Sequence, residues 1–290
     1  MVASSSMVIS DQSFGQPFYY FVRQTIYYAL GIIVIVAAAK TPLSFWQKHN
    51  RLIMLFSLLL LVLVLVPGIG RNVNGSRRWL NLGLISFQAS ELVKLVSIMY
   101  LAGYLERFND RVQHEIKGFF APMVVLGFMG VLLLLEPDFG AFSVLTVTFL
   151  GLLFIAQVRL LPFAVMFVVV AALLAVIAVS SPYRLERFVG FMHPWSNAYG
   201  SGYQLTQSLI AFGRGGFLGV GLGNSIQKLF YLPEAHTDFI FAVLGEELGL
   251  LGELALLALY TVLVGRMFVF ARREALLGRL FSAYLVYGIA

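Results

Sequence analysis

Long apolar runs limit what this chain can become. They lie near residues 18–39, 52–68, 90–104, 119–135, 140–157, 160–179 and 239–265, and an eighth begins near 280. At about 1.5 Å rise per residue, a helix of roughly 20 residues crosses a hydrocarbon layer of about 30 Å. Peptide groups inside lipid find no water, so each run must pair its own N–H and C=O groups and is expected to be helical. The ten-residue alternation of an outer-membrane barrel is absent. With 60% of its 290 residues hydrophobic and 12% charged, the chain reads as all-α, a polytopic transmembrane helical bundle.

The loops distinguish the two membrane faces. Segments 40–51, 105–118, 158–159 and 269–279 carry ten Lys or Arg in 39 residues, whereas 1–17, 69–89 and 136–139 carry three in 42. Positive loops resist translocation, so the first set is expected in the cytoplasm. Arg71, Arg77 and Arg78 are the outside exception. Cysteine is absent, which removes disulfides and a thiol nucleophile. Residues 1–17 lack a basic start, an apolar stretch and a small-residue cleavage site, so no cleavable signal peptide is expected. The net charge of +6 is scattered among loops instead of forming one stripe, which argues against nucleic acid as a partner. Residues 180–237 form a large extracytoplasmic loop within a single polytopic membrane domain spanning 1–290. This loop is too aromatic for a disordered linker. Within it, Leu205, Leu209 and Phe212 recur at i, i+4 and i+7, the stripe of a short helix lying on the membrane surface.

Several stretches carry polar chemistry. "GRGGFLGVGLGN" (213–224) fits neither phosphate-binding glycine pattern and reads as a close-packed turn; the four His are far apart and HExxH is missing, so no zinc site is expected. In "SFQASELVKL" (86–95), Ser90 is a candidate helix cap, and Glu91 and Lys94 fall three apart on one helix face. They form either a salt bridge near the headgroups or part of a polar cavity, since lipid exposure would cost roughly 2.5–3.5 kcal/mol each. In "YLPEAHTDFIFAVLGEELG" (231–249), Thr237 or Asp238 can cap the next helix, or Asp238 can serve chemistry at its mouth. Glu246 and Glu247 lie roughly 12 Å deeper. That depth suits a water-accessible cavity, but beside Gly245, Gly249 and Gly252 the structural reading is preferred, with both bonded to backbone or to an Arg. "EPDFG" (136–140) reads first as a turn in which Pro137 ends one helix and Asp138 caps the next. Arg184, Arg187, Arg214 and Lys228 add cations to the outer face, either as a solvated surface or as a site awaiting an anion.

The stretches "PGIGRNVNGSRRWLNLG", "FQASELVKL", "EPDFG" and "YLPEAHTDFIFAVLGEELG", in this order, resemble the SEDS family of bacterial peptidoglycan glycosyltransferases across essentially the whole chain. Glu136 and the run "YRLERFVGFMHPW" resemble the family's cell-division member more than its elongation member. The family has about ten membrane helices, which implies that this chain holds about eight, wholly or partly, and is shortened at both ends. The resemblance implies polymerisation of lipid II into β-1,4 glycan during septal wall synthesis, with undecaprenyl pyrophosphate leaving. It makes Asp238 the general base. It offers Arg77, Arg78, Arg187, Arg214 and Lys228, with Arg71, for the diphosphate, Glu91 and Lys94 at the cavity floor, and His236 for the substrate or its loop. A divalent cation at the diphosphate, a class B penicillin-binding protein transpeptidase and other division proteins are the implied cofactor and partners, in the bacterial inner membrane. The alternatives are a lipid II flippase and a non-catalytic division scaffold.

Overall fold

The computed structural model describes residues 2–73, 76–81 and 86–290. Asn74, Gly75, Leu82 and Gly83 of the motif at 67–83 lie outside the described residues. In chain order the helices are α1 (Val2–Phe14), α2 (Tyr19–Lys40) and α3 (Leu43–Leu65), followed by strands β1 (Gly70–Val73), β2 (Ser76–Asn81) and β3 (Ser86–Gln88). Then come α4 (Ala89–Arg107), α5 (Asn109–His114), α6 (Ile116–Leu135), α7 (Phe139–Ile155) and α8 (Leu160–Val179). The chain finishes with α9 (Pro182–Met192), α10 (Tyr203–Gly215), α11 (Ile240–Leu276) and α12 (Leu280–Ile289). A 3-10 turn at Pro194–Asn197 and a π-helical turn at Gln227–Tyr231 lie between these last elements.

Every apolar run has become a helix. Among the described residues five helices, α2, α3, α6, α8 and α11, are long and apolar enough to cross a membrane, while α7 and α12 are shorter. The bundle is helical, as expected, but the connection after α3 holds an antiparallel sheet of order β1-β2-β3 that no apolar alternation announces. Residues 2–14, polar in composition, are helical as well.

Two compact units divide the chain: residues 1–40 with 175–263, and residues 41–174 with 264–290. In the second, α3, α4, α6, α7 and α12 pack around Leu61, Val93, Leu101, Leu105, Met129, Leu133, Phe149 and Leu153, none more than 2% exposed. Gly130 makes room there, because a Cβ on it would lie 2.4 Å from the Phe142 ring. Pro122 lies inside α6 and has no N–H to offer the carbonyl one turn earlier. That carbonyl, of Gly118, instead accepts the Tyr104 hydroxyl at 2.9 Å, so the gap left by Pro122 is filled from α4. By contrast α2 and α8 bury no residue at all; Ile35 is 68% exposed and Leu161 77%. Such faces are stable against lipid, not water.

In the first unit, α11 is interrupted at Gly249, which adopts φ 64°. The peptide groups freed by the break pair with the glycine-rich 216–221 segment. Val220 N donates to Glu246 O (3.0 Å) and Gly221 N to Glu247 O (3.1 Å), while Leu250 N donates to Gly216 O (2.9 Å) and Leu251 N to Phe217 O (3.3 Å). "GRGGFLGVGLGN" is therefore a strap laid against a broken helix, and it satisfies the peptide groups that the break frees.

Candidate active site

Asp238 lies in a turn that ends one residue before α11. The backbone N–H groups of Thr237 and Phe239 both donate to Glu234 O, at 3.1 and 3.2 Å, and Thr237 Oγ1 donates to Glu234 Oε2 at 2.7 Å. This local network replaces the expected cap: the helix starts at Ile240, with Phe239 standing before it, and neither Thr237 nor Asp238 closes its first turn. The Asp238 side chain is exposed and makes no hydrogen bond or ion pair among the described residues. Beneath it Leu232, Ala235, Ala211, Ala242 and Val243 form a small buried core that fixes the turn. His236 packs its ring 5.1 Å from that of Tyr20, and its Nδ1 is buried without a partner among the described residues.

Two turns into α11, Glu246 and Glu247 are fully buried. Glu246 accepts from Ser225 Oγ (2.5 Å), Ile226 N (3.1 Å) and Gln227 N (3.2 Å), and Arg214 Nε lies 3.6 Å from it. Glu247 Oε1 accepts from Lys228 Nζ (2.7 Å) and Ser4 Oγ (2.6 Å). Lys228, 6% exposed, also donates to Ser4 Oγ (2.8 Å) and Gly223 O (2.7 Å), which uses all three of its N–H bonds. The structural reading of both glutamates agrees with these contacts. Arg187 sits on the exposed side of α9.

In the second unit, a polar set gathers where β2, the start of α4 and the 136–138 turn meet. The β1–β2 register shifts between Arg71 and Asn72 and skips Arg78, a bulge that re-aims its side chain. The Arg78 guanidinium donates to the backbone carbonyls of Glu136 (3.3 Å) and Pro137. Ser90 lies inside α4 rather than at its cap position, which Gln88 occupies; its hydroxyl instead donates to Asp138 Oδ2 at 3.2 Å. Asp138 caps α7, as its place after Pro137 predicts, by accepting from Ala141 N at 3.2 Å. Glu91 and Lys94 are paired at 2.8 Å with side chains 59% and 28% exposed, so the pair reaches solvent at this end of α4. Arg71 and Arg77 are exposed.

Glu136 is the outlier of this set. It is fully buried, and neither carboxylate oxygen has a hydrogen-bond partner among the described residues. Burial, then the Asp138 carboxylate, push its pKa up from 4.5 to about 8 against the pull of Arg78. Between those values the folded chain holds a proton that the unfolded chain lacks. The neutral carboxyl's contribution is thus complete below pH 4.5 and is lost as pH rises through about 8. Stability should fall by up to about 1.4 kcal/mol per pH unit across that window. Thermal melts of the Glu136→Gln variant should lose this slope; an unchanged slope would assign the titration elsewhere.

Of the residues singled out from sequence, Asp238, His236, Arg214 and Lys228 share the first unit with Arg187, and Arg77, Arg78, Glu91 and Lys94 share the second. Sequence reasoning missed Ser4 and Ser225, hydroxyls in polar stretches with no distinguishing pattern, and the Ser90–Asp138 bond. Among the described residues no group of three or more His, Asp or Glu is placed to hold a metal ion.

A sequence model of the FtsW/RodA/SpoVE family, described as a cell cycle protein, matches residues 1–290. A relative from Coxiella burnetii named probable peptidoglycan glycosyltransferase FtsW is 58% identical over 290 residues, covering 100% of this chain and 78% of the relative. The protein of the same name from Legionella pneumophila is 52% identical over 289 residues, covering 100% and 73%. Among solved structures, one describing how a peptidoglycan synthase complex coordinates polymerization and crosslinking aligns with TM-score 0.72 and 27% identity, over 99% of this chain and 80% of that one. The rod shape determining protein RodA of Thermus thermophilus shares the fold, with TM-score 0.64 and 24% identity over 99% of this chain and 77% of that one.

Proposed function

This chain belongs to the FtsW/RodA/SpoVE family of cell cycle proteins, the SEDS family, and from that premise we propose that it polymerises lipid II into β-1,4-linked glycan during septal wall synthesis. It is a polytopic helical membrane protein and a peptidoglycan glycosyltransferase. The observation that carries the mechanism is the Asp238 carboxylate, exposed on a turn that a buried apolar core holds at the mouth of α11.

Asp238 takes the proton from the acceptor sugar's 4-hydroxyl. The oxygen forms a new bond to the donor's anomeric carbon from the face opposite the leaving group, and the bond from that carbon to the lipid diphosphate breaks. Configuration inverts, the proton rests on the carboxylate, and undecaprenyl pyrophosphate carries away the electron pair. Negative charge growing on the diphosphate calls for cations already in place. Arg187, exposed in the unit that carries Asp238, is a candidate for this task, and Arg71 and Arg77 are the exposed cations of the other unit. Arg78 serves differently, tying the 136–138 turn through its two backbone carbonyls. Lys94, held by Glu91 at 2.8 Å, presents a solvent-reaching ammonium at the head of α4. Arg214 and His236 lie in the same unit as Asp238.

The chain would work in the bacterial inner membrane at the septum, beside a class B penicillin-binding protein that cross-links its product. The similarity to a component of a complex that couples polymerization and crosslinking supports that pairing. A flippase is the second reading, because α11 is broken and transporters place substrates at such breaks. Here, however, the freed peptide groups at Gly249 are taken by residues 216–221. The deciding experiment compares glycan formation by the purified protein in detergent, with and without its transpeptidase partner, against lipid II movement across liposomes. Movement without polymer would replace this proposal by the flippase.

A further inference from the structure

We infer that Lys228, Glu246 and Glu247 form a clasp that positions Asp238, so that Lys228 acts through Glu247 and not on the substrate. The inference rests on the reading of Asp238 as the general base. Asp238 lies near the middle of a segment whose two ends are fastened together. One end is the backbone and side chains of 225–228; the other is the second turn of α11. Glu246 grips the near end through Ser225 Oγ, Ile226 N and Gln227 N, and Glu247 grips it through Lys228 Nζ. Inside the closed segment, Leu232 N donates to Gln227 O at 2.9 Å, and Leu232 and Ala235 pack on Ala242 and Val243. Movement of residues 225–228 therefore passes directly into the turn that carries Asp238.

The composition of the clasp supports a positioning role. Two fully buried carboxylates beside a buried ammonium are a poor way to stabilise a helical bundle, since apolar side chains of the same volume do as well or better. What such a pair supplies is direction. Lys228 has three N–H bonds and three acceptors, Glu247 Oε1, Ser4 Oγ and Gly223 O, all at 2.7–2.8 Å, so only one placement of the 223–228 segment satisfies it. Glu247 Oε2 has no partner among the described residues, so its charge depends on the Lys228 and Ser4 contacts to the other oxygen. Ser4 brings α1 into the same triangle. An ammonium already bonded to three protein oxygens has no N–H left for a diphosphate, which separates Lys228 from the exposed cations of the sheet.

The test is a double-mutant cycle on the full chain with lipid II as the probe, read by polymerisation kinetics and by hydrogen exchange of residues 225–239. Lys228→Met and Glu247→Gln should each lower kcat about 10- to 100-fold, the range expected when a reacting group shifts by about 1 Å, with KM changed less than about twofold. Exchange across 225–239 should rise in both. The double variant, which leaves no buried orphan charge, should recover part of kcat and protection. A raised KM with unchanged kcat in Lys228→Met would put Lys228 on the substrate and overturn the clasp, as would a double variant no better than the worse single. Should the single variants not fold, Ser4→Ala removes one bond from each partner and should lower kcat a fewfold while raising exchange; no change in either would also overturn it. The two readings fail separately: unchanged exchange in the variants would end the clasp, whereas turnover surviving the loss of Asp238 would end the general-base reading and leave the exchange result standing.

Discussion

Replacing Asp238 with alanine should lower lipid II polymerisation by about 10²- to 10⁴-fold, the span that a positioned general base contributes. Among the described residues the side chain makes no hydrogen bond or ion pair within the protein, and the turn around it is held by the Glu234 carbonyl and by the core under Leu232 and Ala235. Removing the carboxylate should therefore leave the melting temperature and detergent behaviour close to those of the parent chain. The asparagine variant tests the same point with volume and polarity kept: it can still accept a hydrogen bond from the sugar but cannot hold the proton. Both variants should bind lipid II, since the proposed diphosphate cations are elsewhere in the chain. Polymerisation by either variant within about tenfold of the parent, at any pH, would remove Asp238 from the chemistry.

The second large effect concerns folding. Alanine at Gly249 or Gly219 should cost about 3 kcal/mol or more, because each position combines a left-handed backbone with a filled neighbourhood. Gly249 has φ 64°, and a Cβ there would sit 2.4 Å from Gly219 N; Gly219 has φ 79°, and its Cβ would sit 2.1 Å from Glu247 O. Neither neighbour is a flexible side-chain tip, so the strap would have to leave the break and its peptide groups would lose their partners. A control in the same background is Gly127→Ala, where nothing lies within 4 Å, and this change should be neutral or slightly stabilising. Melting in detergent gives the comparison, and equal midpoints for Gly249→Ala and Gly127→Ala would show that the strap does not hold the break.

The helices were legible because lipid leaves an apolar run no other way to satisfy its backbone. The sheet was not. Between residues 70 and 88 there is no period of two to read, and the strands are held by pairing with one another and by Arg78 reaching the 136–138 turn, a contact 58 residues away in sequence. Asp238 and the glutamates of α11 stood out as charges entering apolar sequence; their depth suggested a polar cavity, and the glycines beside Glu246 and Glu247 pointed to the structural role. Which cation would meet Glu247 could not be read, since several basic residues share the outer loops and only packing brings Lys228 against it. Ser4 gave no signal at all: a serine among serines becomes a hinge point only when α1 lies beside the 227–231 turn. Ser90 was legible as a helix-terminal residue but not as the donor to Asp138, because the helix begins two residues earlier than a cap at Ser90 would place it.

The bare flanks of α2 and α8 have a mechanical consequence. With no buried residue, each answers to bilayer thickness more than to protein neighbours. Their 22 and 20 residues span about 33 and 30 Å, so a thinner membrane would be met by leaning and a thicker one by local pinching of the lipid. The close-packed α3, α4, α6, α7 and α12 have no such freedom, and the acyl-chain length of the host membrane becomes a physical setting to which these two outer rods respond first.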